Sequence, residues 1–553
     1  MGLQEDFAAT IQSGLVSRTL SVCSRWACHR REMGEPFPGL YTFNYHPWCR
    51  IPHDCTASFV TIMKGAQLGM TEVAINRAFF TVDVLKRDVL YVLPTALNAS
   101  DFSKSRFNTA LIHSPYLKGL FTDTNTVGLK QAGGVNLYIR GSRGDSNLKS
   151  IPVSVLILDE ADEMDQKQIW LALERLSGQK HKHVLSLSTP TIPNYGIHKL
   201  YLQGTQEHFY FKCPKCGRLT EFTFPECLEI CGETITDPDI KLSYIKCKEC
   251  KRKLEHKDKP NFLKDAIWET TVASVEEDHR SFYVNQLYSY TVTPSDLALA
   301  HFRGIGDEAA MVEFNNSKLG LPYIPDGGQV TESEIDTAIR KYFKENMRPD
   351  IGTDRTIVMG IDQGKMNHIV VIEYLLQGAG DLNAAAFAKV LCEMKLPGDN
   401  FELLDPLMRE WQIKACVLDA DPQINDARRF ARRFPGYVYL CRYRRGVTGK
   451  EMQISEEDSG APIVTVDRTN WLDASLGRFH SDRVVLPADT SLEFKDHLKA
   501  MVRTYEKDEL GNPRAVYLST GPDHYAHAFN YAEIALPLAA GIVAGGDLQE
   551  KVI

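Results

Sequence analysis

The stretch Lys64-Gly65-Ala66-Gln67-Leu68-Gly69-Met70-Thr71-Glu72 decides the fold predicted for this chain. An apolar, β-branched run at 59–63 precedes it, and a helix-compatible run at 72–80 follows it. Strand, glycine loop and helix in this order are typical of a loop that binds phosphate through backbone N–H groups, because the glycines let the backbone come close. Thr71 is placed where its hydroxyl would reach a bound Mg²⁺.

The loop departs from the usual G-x-x-x-x-G-K-[ST] pattern at the lysine. Met70 stands in that position, and Lys64 begins the loop instead. A lysine side chain is long and flexible enough to reach the same phosphates from either end of the loop. The alternative is an ordinary glycine turn between a strand and a helix, and the loop alone does not decide between the two.

A pair of acidic residues favours the nucleotide site. The continuous apolar run 155–158 predicts a buried parallel strand, which ends in Asp159 and Glu160. Acids at the carboxyl end of such a strand can reach a nucleotide's metal, so we expect Asp159 to hold hydrated Mg²⁺ and Glu160 to polarise the attacking water. Capping of the next helix is the alternative role for both carboxylates.

Other segments around the loop predict an open α/β sheet of alternating strands and helices. The predicted strands are 88–95, 135–140 and 183–190, and a helix is predicted at 99–107. The last of these strands ends in Ser188, Thr189 and Pro190. In this architecture such a strand end lies beside the nucleotide and can sense its γ-phosphate, although Ser-Thr-Pro also forms simple turns.

Length, charge and cysteine content limit the class of protein. A chain of 553 residues predicts several domains, and a net charge of −8 means that any DNA contact needs local basic patches. No run is long and apolar enough to span a bilayer, and the N-terminus lacks the pattern of a signal peptide. We therefore expect a cytosolic protein whose 13 cysteines are reduced or bind metal.

Two C-x-x-C pairs predict one tetrahedral zinc site with a structural role. Its ligands are Cys213, Cys216, Cys247 and Cys250. The insert between the pairs is longer than usual, which predicts a small β excursion, and it contains Cys227 and Cys231 as competing ligands. Basic residues near the second pair either touch a phosphate backbone or form a solvated face: Lys246, Lys248, Lys251, Arg252 and Lys253.

Three aspartates in the last 200 residues predict a second site. Asp362 and Asp419 each lie at the end of an apolar strand, and Asp523 starts an amphipathic helix. At the edge of a mixed sheet they could hold two divalent metals for phosphodiester cleavage, one activating water and the other stabilising the leaving oxygen. Each aspartate by itself could merely start a turn.

Arginines and aromatics alternate between the second and third aspartates, a mixture that suits a nucleic-acid backbone. The alternative is a surface helix followed by an edge strand. The residues are Arg428, Arg429, Arg432, Arg433, Arg442, Arg444 and Arg445, with Phe430, Phe434, Tyr437, Tyr439 and Tyr443.

This ordered set of motifs resembles the large terminase subunit of tailed bacteriophages, of the lambda-like type, from about residue 35 to 540. The set also includes Val-Leu-Pro-Thr at 92–95 and Leu-Asp-Glu at 158–160. The resemblance implies an ATP-driven motor that moves double-stranded DNA into a procapsid and an endonuclease that cuts concatemeric DNA. It implies an α/β fold, with a RecA-like P-loop ATPase domain carrying a Cys₄ zinc insert, followed by a ribonuclease H-like α/β nuclease domain.

The resemblance also implies roles for particular residues. The nucleotide would bind to Lys64, Gly65, Ala66, Gln67, Leu68, Gly69, Met70, Thr71 and Asp159. Glu160, Asp362, Asp419 and Asp523 would be catalytic, and Ser188, Thr189 and Pro190 would couple hydrolysis to movement. Relatives can carry an arginine finger where this chain has Lys149, with Arg143 as a substitute.

Cofactors, partners and location follow from the same resemblance. The implied cofactors are ATP with Mg²⁺, two Mg²⁺ or Mn²⁺ ions held by the three aspartates, and one structural Zn²⁺. The implied partners are double-stranded DNA, the portal protein, the small terminase subunit and further copies of this chain on the portal. The expected location is the host cytoplasm, transiently at the procapsid portal, with no membrane contact.

The predicted domains are an N-terminal segment at 1–35, the ATPase at 36–345 with its zinc insert at about 206–256, a linker at 346–355 and the nuclease at 356–553. Two other functions stay open at this point. One is a helicase-like or repair ATPase that translocates on DNA and whose C-terminal half only binds it. The other is an assembly protein in which catalysis is vestigial.

Overall fold

A computed structural model describes residues 20–143, 148, 151–273, 278–344, 355–376, 386–445, 452–456, 461–508 and 511–541. The chain forms two compact units, Met1–Tyr323 and Ile324–Ile553. Most of the predicted linker, at 346–354, lies outside the described residues, and so does Lys149.

The first unit contains sixteen described strands and eleven α-helices. The strands are β1 Glu32–Met33, β2 Gly39–Leu40, β3 Phe59–Lys64, β4 Val89–Leu93, β5 Thr124–Asn125, β6 Leu129–Ala132, β7 Val135–Gly141, β8 Val155–Asp159, β9 His183–Ser188, β10 Glu207–Lys212, β11 Leu219–Thr220, β12 Leu228–Glu229, β13 Tyr244–Lys246, β14 Lys253–Leu254, β15 Ile267–Thr270 and β16 His279–Val284. The helices are α1 Cys23–Arg30, α2 Arg50–Asp54, α3 Met70–Phe80, α4 Ala96–Phe102, α5 Thr109–His113, α6 Pro115–Leu120, α7 Gln166–Leu173, α8 Gly196–Gln203, α9 Lys259–Leu263, α10 Pro294–Gly304 and α11 Glu308–Glu313.

The main sheet of this unit has the order β11-β10-β16-β3-β9-β8-β4-β7-β6-β5, with β15 paired to β10. Its central strands, from β16 to β7, are mutually parallel. Strands β4 and β8 are buried along their whole length, as their continuous apolar sequences predict. The carboxyl ends of β3, β8 and β9 therefore meet at one edge, and this edge carries the glycine loop, the acidic pair and the Ser-Thr-Pro segment.

One predicted helix differs from the structure in detail. Residues 99–107 do not form a single α-helix, because α4 ends at Phe102 and a π-helical segment, Ser103–Asn108, continues it. Two further π-helical segments extend helices in the same way, Thr81–Leu85 after α3 and Phe314–Leu319 after α11.

The second unit contains ten described strands and six α-helices. The strands are β17 Thr356–Asp362, β18 Met366–Leu376, β19 Ala386–Pro397, β20 Ala415–Asp419, β21 Val438–Tyr443, β22 Gln453–Glu456, β23 Pro462–Val466, β24 Val484–Val485, β25 Met501–Lys507 and β26 Pro513–Ser519. The helices are α12 Glu332–Ala338, α13 Leu404–Glu410, α14 Ile424–Arg433, α15 Arg468–His480, α16 Leu492–Ala500 and α17 His524–Ala539.

The sheet of the second unit has the order β22-β23-β21-β20-β17-β18-β19-β24. Strands β17, β18 and β19 are antiparallel neighbours, whereas β20, β21 and β23 continue the sheet parallel to β17. This mixed sheet agrees with the ribonuclease H-like fold expected from the sequence. Helix α17 packs across β17 and β20, and so brings its first residues to the sheet edge at which these strands end.

The boundary between the units differs from the expected one. The sequence assigns residues up to 345 to the first domain, but Val330, Ile335 and Ala338 belong to the core of the second unit. Their apolar side chains are buried there with residues such as Trp471 and Leu472. Burial of α12 against this core places residues from Ile324 onward with the second unit.

The close packing of α17 on β17 predicts that one methyl group added at Gly360 has a large effect on stability. A Cβ atom at Gly360 would lie 1.9 Å from the carbonyl oxygen of Ala528 and 2.3 Å from the amide nitrogen of Ala532. Because both are backbone atoms that cannot turn away, we expect Gly360→Ala to destabilise the second unit by about 3 kcal/mol. Calorimetry of the full chain should show its transition lowered by about 6–12 °C, with the first unit unchanged.

Gly477 provides the matched control. It lies inside α15, and no heavy atom outside its own helix approaches a Cβ there within 4 Å. Gly477→Ala should therefore stabilise the unit by about 0.5–1 kcal/mol, since alanine loses less backbone entropy in a helix. Equal stability of the two variants would contradict the close approach of α17 to β17.

Candidate functional site

The glycine loop joins β3 to α3 through a left-handed residue. Gly69 has φ +76°, and a Cβ there would lie 3.0 Å from the ring of His46. Helix α3 begins at Met70 without a side-chain cap, so its first amides are open toward the cleft beside the loop. Uncapped amides at a helix start attract anions, and this arrangement agrees with the predicted phosphate loop.

The first two amides of the loop have other partners. The Gly65 N–H donates to the carbonyl of Val284 at 2.8 Å, and the Ala66 N–H donates to the carbonyl of Ser317 at 2.7 Å. These two N–H groups are therefore bonded within the protein, and the nucleotide-binding role of the loop stays a prediction. Gly65 and Ala66 thus hold the loop against the rest of the unit.

Asp159 lies almost completely buried at the end of β8, with 2% of its surface exposed. The Tyr91 hydroxyl donates to its Oδ2 at 2.6 Å, whereas its Oδ1 has no hydrogen-bond partner in the described part of the chain. Burial, together with the charge of Glu160, raises the pKa of Asp159 to about 7. A buried carboxylate oxygen without a partner fits the Mg²⁺ predicted at this position.

Glu160 contacts the two other predicted elements of the site. Its Oε1 is 3.1 Å from the Lys64 ammonium, and the Ser188 hydroxyl donates to its Oε2 at 3.3 Å. Residues from β3, β8 and β9 thus meet in one hydrogen-bonded group. The Ser188 hydroxyl also accepts from the Asp162 N–H at 3.3 Å, which links the acidic loop to the Ser-Thr-Pro segment a second time.

A cleft of about 620 Å³ lies above this group. Its lining includes the predicted residues Lys64, Ala66, Gln67, Leu68, Gly69, Met70, Thr71, Glu160 and Thr189. Gly65, Asp159, Ser188 and Pro190 are buried behind the lining. The size and chemistry of the cleft suit a nucleotide whose phosphates lie at the loop.

Sequence reasoning missed the opposite wall of the cleft. That wall comes from α4 and the π-helical segment after it, and includes Asn98, Asp101, Ser105 and Arg106. Arg106 Nη2 pairs with Glu72 Oε1 at 2.8 Å, and Arg31 pairs with the other oxygen of Glu72 at 2.7 Å. The only signal in the sequence was the polar character of the helix that follows the Leu-Pro-Thr strand end.

A second cavity, of about 350 Å³, adjoins the cleft and shares Gly69, Ser105 and Arg106 with it. Phe37 and Tyr45 stack on its wall with ring centroids 4.4 Å apart. Its aromatic wall is a surface on which a flat ring can stack.

The structure describes only one of the two candidate finger residues. Lys149 falls outside the described residues, and Arg143 is exposed. Arg143 is not among the residues that line the cleft, and the assignment of a finger stays a prediction.

The four predicted zinc ligands form one group. The ligand atoms of Cys213, Cys216, Cys247 and Cys250 lie within 4.8 Å of one another, and the Sγ atoms of Cys213 and Cys250 are 4.0 Å apart. The N–H groups of Lys215 and Glu249 each donate to a cysteine sulfur at 3.4 Å, as in paired metal knuckles. Four sulfurs around one tetrahedral ion would be about 3.8 Å apart, so the donor set fits zinc.

The competing cysteines are not in this group. Among the described residues, neither Cys227 nor Cys231 joins a metal-ligand cluster, and the Cys227 thiol donates to the Glu221 carbonyl at 3.4 Å. The β excursion expected between the pairs is the small sheet β12-β13-β14. The sheet positions the second knuckle, because β13 leads directly into Cys247 and β14 follows Cys250.

Several residues of the basic run beside the second knuckle are held by protein groups, and two of its lysines pair with acids. Lys246 pairs with Glu229, and Lys248 pairs with Glu221 at 3.0 Å. Arg252 donates to the carbonyl of Lys215 at 3.3 Å. These contacts favour the interpretation of this run as a charged structural face over a DNA-binding surface.

In the second unit, Asp362 and Asp419 end neighbouring parallel strands. The register pairs Ile361 of β17 with Leu418 of β20, so the two aspartates lie opposite each other on strands about 4.8 Å apart. Burial, and then the charge of Asp362, raise the pKa of Asp419. Adjacent carboxylates that repel each other fit the divalent metals predicted for this edge.

Asp523 is positioned at the start of α17 but has a partner of its own. Its Oδ2 lies 3.6 Å from His527 Nε2. Burial raises the pKa of Asp523, but the contacts with His527, Ser519 and Arg468 together outweigh burial and lower the pKa to about 2. Within the described residues, the close metal-ligand group at this edge contains Asp362, His368 and His524, with ligand atoms within 4.8 Å, and does not contain Asp523.

The two histidines of this group were not found from the sequence. His524 Nδ1 is 2.8 Å from Asp362 Oδ2, and its ring stacks on that of His368 with centroids 4.6 Å apart. The contact with Asp362 raises the pKa of His524. His524 directly follows Asp523, but nothing in the local pattern showed that it would face an aspartate 162 residues earlier.

Within the described ranges, no helix is both long and apolar enough to cross a bilayer. Among solved structures, the chain is similar to the HK97 bacteriophage large terminase, with 11% identity and a TM-score of 0.46 over 94% of this chain and 98% of that one. It is also similar to the Thermus phage P74-26 large terminase ATPase domain, with 14% identity and a TM-score of 0.30 over 48% of this chain and 90% of that one. A third likeness is to the large terminase nuclease from thermophilic phage G20c with bound magnesium, with 14% identity and a TM-score of 0.24 over 37% and 96% of the two chains.

No curated protein matches the chain. Two family models do: the ATPase domain of the phage terminase large subunit gpA at residues 36–268, and the endonuclease domain of terminase large subunit gpA at 279–374. The second match begins in β16, which the structure places in the first unit, and it ends in β18, so it includes Asp362 but not Asp419 or Asp523.

The two matches together cover more than half of the 553 residues, and both belong to one subunit of one enzyme. An ATPase domain and an endonuclease domain in this subunit make the chain a DNA-packaging motor that also cuts DNA. The expected fold agrees with them, a P-loop ATPase unit followed by a mixed-sheet nuclease unit. The chain belongs to the gpA-type family of phage terminase large subunits.

Proposed function

We propose that ATP binds with its phosphates against the loop from Lys64 to Thr71, and that Glu160 orients the water that attacks the γ-phosphate. The observation that carries this proposal is the contact of Lys64 and Ser188 with the two carboxylate oxygens of Glu160, beneath the cleft of about 620 Å³. The uncapped start of α3 and the Thr71 hydroxyl supply the remaining polar groups. Asp159 would hold the hydrated Mg²⁺, which neutralises phosphate charge when bound.

The Lys64–Glu160 ion pair suggests how the site responds to nucleotide. An incoming γ-phosphate carries more negative charge than one carboxylate, so it draws the Lys64 ammonium away from Glu160. Glu160 then has a free oxygen with which to accept a proton from water. While Lys64 is paired with Glu160 the catalytic carboxylate is occupied, and binding of the γ-phosphate would free it.

Ser188, Thr189 and Pro190 are proposed to transmit this change. Ser188 holds Glu160, and the next residue after the segment, Thr191, donates its N–H and hydroxyl to Asp162 at 2.8 and 2.9 Å. The Thr191 carbonyl in turn accepts from the Tyr323 N–H at 3.0 Å, at the last residue of the first unit. A change at Glu160 therefore reaches the end of this unit through hydrogen bonds alone.

The adjoining cavity is proposed to receive the adenine ring. It shares its rim with the phosphate cleft and carries the stacked rings of Phe37 and Tyr45. A purine has a large apolar face, so contact with these rings contributes to binding without interfering at the phosphates.

We assign the DNA-cutting site to Asp362, Asp419 and Asp523. Their carboxylates would hold two Mg²⁺ or Mn²⁺ ions, which activate water and stabilise the leaving oxygen when bound. His524 positions Asp362 through the 2.8 Å contact, and His527 keeps Asp523 ionised. The adjacency of the first two aspartates at the ends of β17 and β20 supports the assignment.

The Cys₄ group is proposed to hold one structural zinc ion. Full-length protein purified without chelator should contain about one zinc per chain. Cys250→Ser should remove it, because three thiolates hold the ion far less tightly, whereas Cys231→Ser, in the same insert but outside the group, should retain it. Elemental analysis checks both variants, and zinc loss from the Cys231 variant alone would disprove the ligand set.

The chain acts on double-stranded DNA within a packaging complex. We propose its individual protein partners from its membership of the terminase family. These are the portal protein, the small terminase subunit and further copies of the chain on the portal, in the host cytoplasm and transiently at the procapsid. Arg143 or Lys149 of a neighbouring copy would supply the finger. We propose the domain order predicted from the sequence, an N-terminal segment followed by the ATPase and the nuclease, with the boundary between the two units placed after Tyr323.

An assay of the full chain on supercoiled and linear DNA, with Mg²⁺ or Mn²⁺ and with or without ATP, tests the two sites together. Cutting should require the divalent ion and proceed without ATP, whereas ATP hydrolysis should require Mg²⁺ and increase with linear DNA. Cutting that depends strictly on ATP hydrolysis would contradict two separate sites.

A further inference from the structure

The arginines that lie in the sequence between Asp419 and Asp523 form two separate groups in the fold. Strand β20 ends at Asp419, and α14 then runs back along the sheet, so Arg432 and Arg433 at its C-terminus lie toward the opposite edge. Strand β21 runs forward again and is parallel to β20, with Asp419 opposite Cys441. The residues that follow Cys441 therefore emerge at the same edge as the aspartates, and they include Arg442, Arg444 and Arg445.

Acids pair with two of the four arginines on α14, Arg429 and Arg433. Arg433 binds Asp405 through two nitrogens, with Nε 2.9 Å from Oδ2 and Nη2 2.8 Å from Oδ1. Arg429 pairs with Asp426 one turn away on the same helix. These two aspartates offset the charge of two of the four arginines on this helix.

The group at the end of β21 is exposed. In the part of the chain that the structure describes, Arg444 and Arg445 form no ion pair, and the backbone N–H of Arg444 is held by the Val466 carbonyl at 2.9 Å. Their strand is the immediate neighbour of the strand that carries Asp419, at a spacing of about 4.8 Å. Their charges are therefore both available and close to the acidic edge.

A chain with a net charge of −8, whose cutting site is itself acidic, repels DNA unless cations lie beside that site. Tyr443 is half-buried and stacks on Tyr531, so the alternation of a strand directs Arg442 and Arg444 to the other face of the sheet. A duplex laid on the sheet edge is wide enough to contact both faces. The aspartates would then face one phosphate while the arginines hold its neighbours.

We propose that Arg444 and Arg445, supported by Arg442, form the surface that holds the DNA backbone beside the scissile phosphate. The proposal rests on the assignment of the cutting site to Asp362 and Asp419. Arg429 and Arg432 take no part in it. The arginines at the strand end are positioning residues, and because phosphate contacts carry no sequence information, they strengthen binding to every duplex alike.

The test compares two pairs of substitutions that remove the same charge from full-length protein. Arg444→Ala/Arg445→Ala should raise the DNA concentration at half-maximal cutting by roughly tenfold at low salt, with kcat unchanged, and lower the salt dependence of binding by about two phosphate contacts. Arg429→Ala/Arg432→Ala should change both by less than about twofold. Arg444→Lys/Arg445→Lys should restore most of the affinity, since a point charge still binds phosphate.

Binding is measured by anisotropy of a labelled duplex in the Asp362→Asn background with Mg²⁺, where no cutting interferes. Equal losses in the two alanine pairs would show a bulk charge effect and overturn the proposal, and so would unchanged binding and cutting in the strand-end pair. Absence of metal-dependent cutting by the unsubstituted chain would instead disprove the cutting site, whereas the binding comparison would still report on the arginines.

Discussion

Glu160→Gln is expected to lower ATP hydrolysis by at least about 100-fold and to leave metal-dependent DNA cutting unchanged. The amide keeps the shape of the side chain and can still contact Lys64 and Ser188, but it cannot accept a proton from the attacking water. Asp159 and the loop are untouched, so nucleotide binding should persist. The measurements are steady-state phosphate release, binding of a fluorescent ATP analogue, and plasmid cutting by the same preparation.

Glu163→Gln is the matched control. Glu163 lines the same cleft, three residues further along the chain, and its substitution removes the same charge. We expect hydrolysis within about threefold of the unsubstituted chain, because the two carboxylate oxygens that contact Lys64 and Ser188 belong to Glu160. Equal loss in both variants would mean that cleft charge, and not Glu160 in particular, supports hydrolysis. Loss of cutting in the Glu160 variant would contradict the independence of the two sites.

Asp362→Asn should have the reverse effect. Replacing a metal-binding carboxylate by an amide forfeits several kcal/mol of transition-state stabilisation, so cutting should fall on the order of 1,000-fold. The contact with His524 also weakens, since an amide does not raise the pKa of the imidazole as a carboxylate does. ATP hydrolysis should stay unchanged, and DNA binding should persist because one repulsive charge has been removed.

Asp336→Asn provides the comparison for this variant. Asp336 lies on α12 of the same unit, with 62% of its side chain exposed, and its contact with Lys495 is a surface pair at 3.6 Å. Its substitution should leave cutting unchanged. Normal cutting by the Asp362 variant, in protein that unfolds at the usual temperature, would remove the assignment of this edge as the cutting site.

Two observations bear on the alternative functions that the sequence left open. A helicase-like ATPase whose C-terminal half only binds DNA has no reason to match an endonuclease model across Asp362. An assembly protein with vestigial catalysis has no reason to keep Lys64, Glu160 and Ser188 in contact beneath an open cleft. Both observations favour the packaging motor with cutting activity.

Local patterns in the sequence were enough to predict the parts of each site. The glycine loop, the strand before Asp159 and the two C-x-x-C pairs all depend on residues within about ten positions of one another, where periodicity and turn chemistry dominate. For this reason β3, α3, β8 and the four-cysteine group agree with the expectations. The boundary near Ile324 and the split of the helix after Phe102 differ from them, because packing rather than local propensity sets where an element ends.

Tertiary structure alone decided which of these parts meet. The partners of Gly65 and Ala66, the contact of His524 with Asp362, and the pairing of Asp523 with His527 depend on sheet order and on the placement of α17. Likewise, the sequence presents the arginines from 428 to 445 as one run, but the reversal of direction between α14 and β21 places them at opposite edges of the sheet. The chain itself determined which chemistry each segment carries, whereas distances across more than a hundred residues are set only when strands pair and helices pack.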